Sequence, residues 1–213
     1  MLSSLIPVRD SSIEAVFFDF DGVIVDSVPV KTDAFRTLFA PLGPRATRFI
    51  LAYHKRNGGI DRHTKIRYVL KRLRLYRDEE QVRQLGAAFG ESVRERIVAM
   101  DNRQGIDRLL EDIKRAGLKA FVVSGTPEEE LRDIIIRKGL ADFFNEVCGS
   151  PRRKREILET LSMKFEIRLS RSVFIGDAPS DFAAAQAVGM YFVGVPTCPV
   201  HRAGEVSTRR TTR

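Results

Sequence analysis

The feature that most constrains the fold is the stretch AVFFDFDGVIVDS, in which an apolar run leads directly into two carboxylates. Residues 15–20 place large apolar side chains on both faces of a strand, which is typical of a parallel sheet covered by helices on both sides. Asp19 and Asp21 stand at the carboxyl end of that strand. In open α/β sheets, ligands bind in the crevice beyond the carboxyl ends of the strands. One stretch therefore predicts both the type of sheet and the place of the site.

The rest of the chain alternates between strand and helix patterns. Four later apolar segments have the length of strands: 118–123, 145–149, 172–177 and 191–195. Helical patterns that end near a glycine or a charged turn lie between them: 106–117, 127–139, 154–165 and 180–189. Such alternation indicates βαβ units. We therefore predict an α/β fold, a Rossmann-like parallel sheet with helices on both faces.

A long segment without strand patterns interrupts this alternation after the first strand. It contains four helical patterns: 30–43, 45–59, 64–76 and 79–100. A chain of 213 residues is long enough for one core with an insertion. We predict a catalytic core formed by residues 1–26 and 101–200, with an all-helical cap formed by residues 27–100.

The charge of the chain is divided in the same way. The net charge is +8, but residues 31–100 carry +9 and residues 201–213 carry +3, so the remainder is acidic. A basic cap on an acidic core indicates two modules with different roles. The cap lacks the interleaved basic and aromatic residues of nucleic-acid-binding motifs, so we predict no nucleic-acid partner. The Arg- and Thr-rich segment 201–213 is predicted to be a disordered tail.

Targeting and redox signals are absent from the sequence. No apolar stretch has the length of a membrane span, and the first residues lack the pattern of a signal peptide. Cys148 and Cys198 are too few for a disulfide framework. We predict a cytoplasmic protein that has no membrane partner.

Two further segments supply groups that bind anions. In VVSGT, the residues Ser124, Gly125 and Thr126 follow a predicted strand and precede a helix. Hydroxyls and backbone N–H groups at such a turn hold an anion. In SPRRKREIL, Lys154 stands near the start of another helix. Together these groups suit a phosphoryl group.

A third segment adds carboxylates. In FIGDAPSD, Asp177 ends a predicted strand and Asp181 lies in the first turn of the next helix. With Asp19 and Asp21, these side chains gather at two strand ends, and hard divalent cations prefer such oxygen ligands. The sequence therefore predicts a metal site beside the phosphoryl site.

These segments resemble the four motifs of the haloacid dehalogenase superfamily, in the same order along the chain: Asp19-Phe20-Asp21-Gly22, Ser124-Gly125-Thr126, Lys154 and Gly176-Asp177-Ala178-Pro179-Ser180-Asp181. The helical insertion between the first two is similar to the cap of the β-phosphoglucomutase and phosphoglycolate phosphatase branch. The resemblance implies a phosphatase that acts on a small phosphorylated metabolite with Mg²⁺ as its cofactor.

The resemblance also implies roles for the carboxylates. Asp19 would attack phosphorus and carry an aspartyl-phosphate. Asp21 would protonate the leaving group and then activate water, which requires a pKa raised toward the working pH. Asp19, Asp177 and the backbone carbonyl of Asp21 would be the protein's ligands to Mg²⁺.

The remaining motif residues would hold the phosphoryl group. By resemblance, Lys154 pairs with Asp19 and the phosphate, and Asp181 orients Lys154 or a metal-bound water. Thr126 or Ser124 would donate to the phosphoryl oxygens, and Ser124 is the better match because it directly follows the predicted strand.

One loop of the cap resembles the Gly-x-Ser-Arg loop with which related enzymes grip the non-reacting end of the substrate. Here it reads Gly59-Ile60-Asp61-Arg62, with Asp in place of Ser. Arg62 suits a phosphate or carboxylate, and Asn57 and Lys65 are candidates to join it. The alternative is a solvated basic loop.

The sequence leaves three functions in competition. A phosphomutase of the same branch needs the same core residues as a phosphatase. A non-catalytic module that binds RNA or a partner through the basic cap is the third, but Asp19, Asp21 and Asp177 argue against it. A dehalogenase is disfavoured because that branch lacks the second Asp and uses no metal.

Overall fold

A computed structural model describes residues 13–195 and 208–209 of the chain. Its centre is a six-stranded sheet in the order β3-β2-β1-β4-β5-β6. The strands are β1 (Ala15–Phe18), β2 (Lys119–Pro127), β3 (Glu146–Ser150), β4 (Ser172–Gly176), β5 (Tyr191–Gly194) and β6 (Thr208–Arg209). The first five pair in parallel, and β6 pairs antiparallel with β5.

Eight α-helices surround or extend from this sheet in the described part of the chain. Those of the insertion are α1 (Val28–Phe39), α2 (Pro44–Arg56), α3 (Arg62–Arg72) and α4 (Glu79–Val98). Those between or after the later strands are α5 (Ile106–Arg115), α6 (Glu128–Arg137), α7 (Lys154–Phe165) and α8 (Pro179–Ala187). No described helix has both the length and the apolar character needed to cross a membrane.

Alternate residues of the central strand pack into separate layers. Phe17 stacks on Phe121 with ring centroids 4.8 Å apart, in the layer covered by α7 and α8. Phe18 faces the opposite layer, which contains the buried residues of α5 and α6. Both phenylalanines are fully buried because successive strand side chains point to opposite faces and helices cover each face.

The cap helices share one apolar cluster with that second layer. Phe35, Ile50, Ile66 and Phe89 come from α1, α2, α3 and α4 respectively, and all four are buried in it. Cap and core are therefore packed together around the carboxyl ends of the strands.

The α/β fold with a helical insertion is confirmed, with one local difference. Residues 124–126 were predicted to follow a strand, but β2 continues to Pro127. The pairing of β2 with β3 is irregular between Val123 and Pro127, as at a β-bulge. The predicted tail, 201–213, lies outside the described residues except for β6.

Candidate active site

The acidic centre forms where β1 and β4 end side by side. Asp19 follows β1, donates its backbone N–H to the Ile175 carbonyl of β4 at 2.9 Å, and is 1% exposed. Asp177 follows β4. Gly22 has φ +80, and a Cβ on it would lie 2.0 Å from Oδ2 of Asp177. Only glycine therefore lets the first motif pass so close to the Asp177 carboxylate.

Lys154 bridges two carboxylates of this centre. Its ammonium lies 2.9 Å from Oδ1 of Asp19 and 2.5 Å from Oδ1 of Asp181. The other oxygen of Asp181 accepts the backbone N–H groups of Asp177 and Ala178 at 3.2 and 3.0 Å. Asp181 thus fixes Lys154 and the turn that carries Asp177, which agrees with the orienting role that the resemblance implies.

The carboxylates outnumber the one lysine that they share. Burial, together with neighbouring carboxylates, raises the pKa of Asp19 well above its ordinary value and that of Asp177 to about 7. Burial alone would lower the pKa of Lys154, but Asp181 and Asp19 outweigh it and raise that pKa. Oxygens of Asp19, Asp177 and Asp181 lie within 4.8 Å of one another. This surplus of closely spaced negative oxygens fits a hard divalent cation.

Asp21 points away from that cluster, toward the cap. Its carboxylate accepts from the ammonium of Lys31 at 2.6 Å and from the hydroxyls of Ser27 and Thr126 at 2.5 and 2.9 Å. Burial would raise its pKa, but these donors outweigh burial and lower the pKa to about 2. The expectation that the pKa of Asp21 is raised is therefore wrong for this structure, because a cap lysine stabilises the carboxylate.

The sequence reasoning missed Lys31 and Ser27. Ser27 directly precedes α1, and Lys31 lies one turn later on the same helix. Their spacing from Asp21, six and ten residues, matches no motif. The one sequence signal is their position, since both residues lie at the start of a helix that follows an acidic strand end.

The two hydroxyls of the second motif have different positions. The Ser124 hydroxyl accepts the backbone N–H of Thr126 at 3.2 Å. The Thr126 hydroxyl donates to Asp21 and accepts from Lys31 at 2.8 Å. Gly125 and Thr126 line the cavity described next, and Ser124 is not among its lining residues. Thr126 is thus the hydroxyl of this motif that lies beside the Asp21 carboxylate.

A cavity of about 750 Å³ separates the acidic centre from the cap. Asp21, Lys31 and Asp177 line it near the strand ends, and His54 and Lys65 line it from the cap. Gly58 of the cap loop accepts the Ser180 hydroxyl of the core at 3.0 Å, so the loop closes this space on one side. The cavity has the size of a site for a small molecule.

The cap wall carries a buried cation beside a neutral imidazole. Nζ of Lys65 lies 3.1 Å from Nδ1 of His54, and Nε2 of His54 is buried without a partner among the described residues. Burial, followed by the charge of Lys31, lowers the pKa of Lys65 to about 8. Burial and the charge of Lys65 lower the pKa of His54 to about 3. Lys65 is therefore the cation of this pair at neutral pH.

Arg62 lines the same cavity but has a core partner. Its guanidinium forms an ion pair with Glu130 of α6 and lies over the Phe89 ring, 5.2 Å from the centroid. Asp61, which replaces the serine of the resembled loop, caps α3 by accepting the Thr64 N–H at 3.0 Å. Asp61 therefore has a structural reason to be there.

Asn57 is not brought into the cavity. Its side-chain amide donates to the Tyr53 carbonyl at 2.8 Å, at the end of α2, and the residue is not among those lining the cavity. Of the three predicted cap residues, the structure brings Arg62 and Lys65 to the site.

Comparisons with known proteins agree with this arrangement. Residues 13–189 match the family model of haloacid dehalogenase-like hydrolases. Phosphoglycolate phosphatase of Psychrobacter arcticus is 28% identical over 196 residues, which cover 85% of this chain and 83% of that protein. The enzyme of the same name from Pseudomonas putida is 25% identical over 197 residues, covering 84% and 68%. The crystal structure of β-phosphoglucomutase from Clostridium difficile superposes with a TM-score of 0.72 at 23% identity, covering 85% and 84% of the two chains.

Proposed function

The chain belongs to the haloacid dehalogenase-like hydrolases, and from that premise we propose that it is a Mg²⁺-dependent phosphatase that works through an aspartyl-phosphate on Asp19. One observation carries the proposal. Asp19 is buried at the end of β1, 2.9 Å from the ammonium of Lys154 and within the acidic cluster of Asp177 and Asp181.

Asp19 is proposed to be the nucleophile because its environment favours transfer of its charge. Burial and neighbouring carboxylates destabilise its negative charge, and that charge passes through phosphorus to the leaving oxygen as the new O–P bond forms and the old one breaks. Lys154 stays beside Asp19 and offers its charge to the phosphoryl oxygens, and Asp181 keeps Lys154 in place. Backbone N–H groups at Gly125 and Thr126 are proposed to hold the same oxygens.

Asp19, Asp177 and the backbone carbonyl of Asp21 are proposed to hold Mg²⁺. When bound, the cation neutralises charge on the carboxylates and on the phosphoryl group. The raised pKa values of Asp19 and Asp177 support this assignment, because a nearby cation would offset the burial and the carboxylate repulsion that raise them.

The leaving oxygen must gain a proton, and two groups on the cavity wall are placed to supply it. Asp21 and the ammonium of Lys31 are 2.6 Å apart, and both line the cavity. We propose that Asp21, which is ionised because its pKa is about 2, relays a proton from the Lys31 ammonium to the leaving oxygen, while Thr126 orients its carboxylate. Asp21 would later take a proton from the water that hydrolyses the aspartyl-phosphate.

The substrate is proposed to carry a second anionic group on a small leaving group. Lys65, His54 and Arg62 place donors on the cap wall, and the structure describes no carboxylate in ion-pair contact with Lys65. A carboxylate or a second phosphate would complete this wall. 2-Phosphoglycolate, the substrate named for the similar enzymes, has one phosphoryl group and one carboxylate and is our first candidate.

A panel of phosphorylated hydroxy acids and sugar phosphates, assayed with Mg²⁺, tests this proposal. Released phosphate is measured together with the organic product. We expect phosphate release with 2-phosphoglycolate above that with glycerol 3-phosphate, which lacks a carboxylate. A phosphorylated isomer in place of free phosphate would identify a phosphomutase, and equal rates across the panel would contradict the second anion site.

A further inference from the structure

The strongest unexplained feature outside the catalytic centre is a buried ion pair between the cap and the core. Arg62 begins α3 of the cap, and Glu130 lies in the first turn of α6 of the core. Their side chains are 7% and 8% exposed, so water does not screen the interaction. Because this buried pair joins the cap to the core, the cap cannot move away from the core without breaking it.

The pair is incompletely satisfied. Nη2 of Arg62 binds Oε2 of Glu130, whereas Nε and Nη1 of Arg62 and Oε1 of Glu130 are buried without partners in the described part of the protein. Buried polar groups are rarely left without partners, since each costs free energy. Arg62 lines the cavity, so an anion bound there would be the partner that these solvent-shielded N–H groups lack, while Glu130 holds Nη2.

The surroundings hold the guanidinium in place. Phe89 lies under it, and Gly90 lies beside it on α4. A Cβ on Gly90 would lie 2.8 Å from Oε2 of Glu130 and 2.9 Å from Nη1 of Arg62. Any other residue at this position would push into the pair, so the lack of a side chain on α4 makes room for it.

We propose that Glu130 is a positioning residue that orients Arg62 toward the second anionic group of the substrate and holds the cap closed on the core. The orienting part rests on the proposed function, and the closing part does not. Glu130 does not touch the substrate in this scheme. Its carboxylate fixes one nitrogen of Arg62, and the substrate anion takes the nitrogens that remain.

The matched pair Glu130→Gln and Glu129→Gln isolates this role. Both variants remove one negative charge from the first turn of α6, but Glu129 is exposed and has no ion pair in the described structure. Two readouts are combined: amide hydrogen exchange of residues 57–62 in the free protein, and steady-state kinetics with 2-phosphoglycolate and with p-nitrophenyl phosphate.

We expect Glu130→Gln to speed exchange of residues 57–62 several-fold, because the cap loop loses its anchor to the core. We expect KM for 2-phosphoglycolate to rise about tenfold while kcat changes less than threefold, and kinetics with p-nitrophenyl phosphate to stay within twofold. Glu129→Gln should behave as the wild type in both readouts.

A charge exchange separates positioning from mere packing. In Arg62→Glu/Glu130→Arg the ion pair is reversed. Amide hydrogen exchange of residues 57–62 should therefore be slower than in Arg62→Glu and close to the wild-type rate, while KM for 2-phosphoglycolate stays high. Recovery of both would show that the pair is structural and that Arg62 does not contact substrate. No difference between Glu130→Gln and Glu129→Gln would overturn the proposal. If wild type shows no preference for 2-phosphoglycolate, the proposed substrate fails, and the exchange data still decide whether Glu130 closes the cap.

Discussion

The core wall and the cap wall of the cavity differ in how completely their cations are paired with carboxylates. Near the strand ends, Lys154 pairs with Asp19 and Asp181, and Lys31, which the cap contributes, pairs with Asp21. On the cap wall, the neutral His54 is the one group within hydrogen-bond distance of the Lys65 ammonium among the described residues. The cations near the strand ends are therefore already paired with carboxylates of the protein, whereas the cap wall is left with donors that an anion would complete.

We therefore assign the chemical step to the core wall and the choice of substrate to the cap wall. A paired core site can treat any phosphoryl group in the same way, because its charges are fixed before the substrate arrives. An unpaired buried cation in the cap lowers the free energy of unfolding until an anion binds beside it. Relief of that penalty therefore favours ligands that bring an anionic group to the cap wall. Changes in the core should therefore affect all substrates, and changes in the cap should affect them selectively.

The largest effect is expected from Asp19→Asn. The substitution keeps the shape of the side chain but removes the nucleophile, so kcat should fall at least about 10³-fold on every substrate. The pKa of Asp19 is raised by burial, so the neutral amide should leave thermal stability unchanged or higher. Activity assays and calorimetry check this prediction. A variant that retains activity within tenfold would exclude Asp19 as the nucleophile.

Removal of divalent metal should also affect all substrates. Three carboxylates within 4.8 Å of one another need a cation to accept a phosphoryl dianion beside them. We expect EDTA to abolish hydrolysis of both 2-phosphoglycolate and p-nitrophenyl phosphate, and added Mg²⁺ to restore both. Full activity after chelation would contradict the metal site in the acidic cluster.

Unlike the two changes in the core, Lys65→Met should affect one substrate and not the other. Loss of a charge-assisted contact should lower kcat/KM for 2-phosphoglycolate by about 10–100-fold and leave p-nitrophenyl phosphate nearly unchanged. The control is Lys71→Met, since Lys71 is exposed on the same helix. Equal losses on both substrates would mean that Lys65 supports the catalytic centre instead.

The same variant should be more stable than the wild type at neutral pH. The pKa of Lys65 is lowered from 10.5 to about 8, so the folded state holds its proton less tightly than the unfolded state. That penalty, roughly 3 kcal/mol, is fully present below pH 8 and is relieved as pH rises toward 10.5. Urea unfolding of Lys65→Met and wild type at pH 7 and pH 10 checks this. A gap in stability that does not shrink at pH 10 would contradict the assignment.

The smallest effect is a pH dependence of substrate binding. Lys65 loses its proton as pH rises through about 8, so KM for 2-phosphoglycolate should increase several-fold between pH 7 and pH 9. KM for p-nitrophenyl phosphate should not show this increase, and neither should Lys65→Met. A parallel rise for both substrates would place the titrating group in the core.

The sequence by itself determined the sheet and the place of the catalytic centre. The buried strand 15–18 and the carboxylates directly after strands β1 and β4 are local patterns, and parallel strands bring their carboxyl ends to one edge whatever the loops do. Asp19 and Asp177 could therefore be predicted as neighbours, and the structure describes their oxygens within one cluster.

Only the tertiary structure decided how the cap meets that centre. Lys31 with Asp21, Lys65 with His54, and Arg62 with Glu130 are pairs separated by 10, 11 and 68 residues. Each pair forms because two elements cross at a particular angle and depth, and no periodic pattern records that crossing. The motif alone predicted a raised pKa for Asp21, but a lysine from α1 lowers it. A pKa depends on the charges that are nearby in space and not on those nearby in sequence.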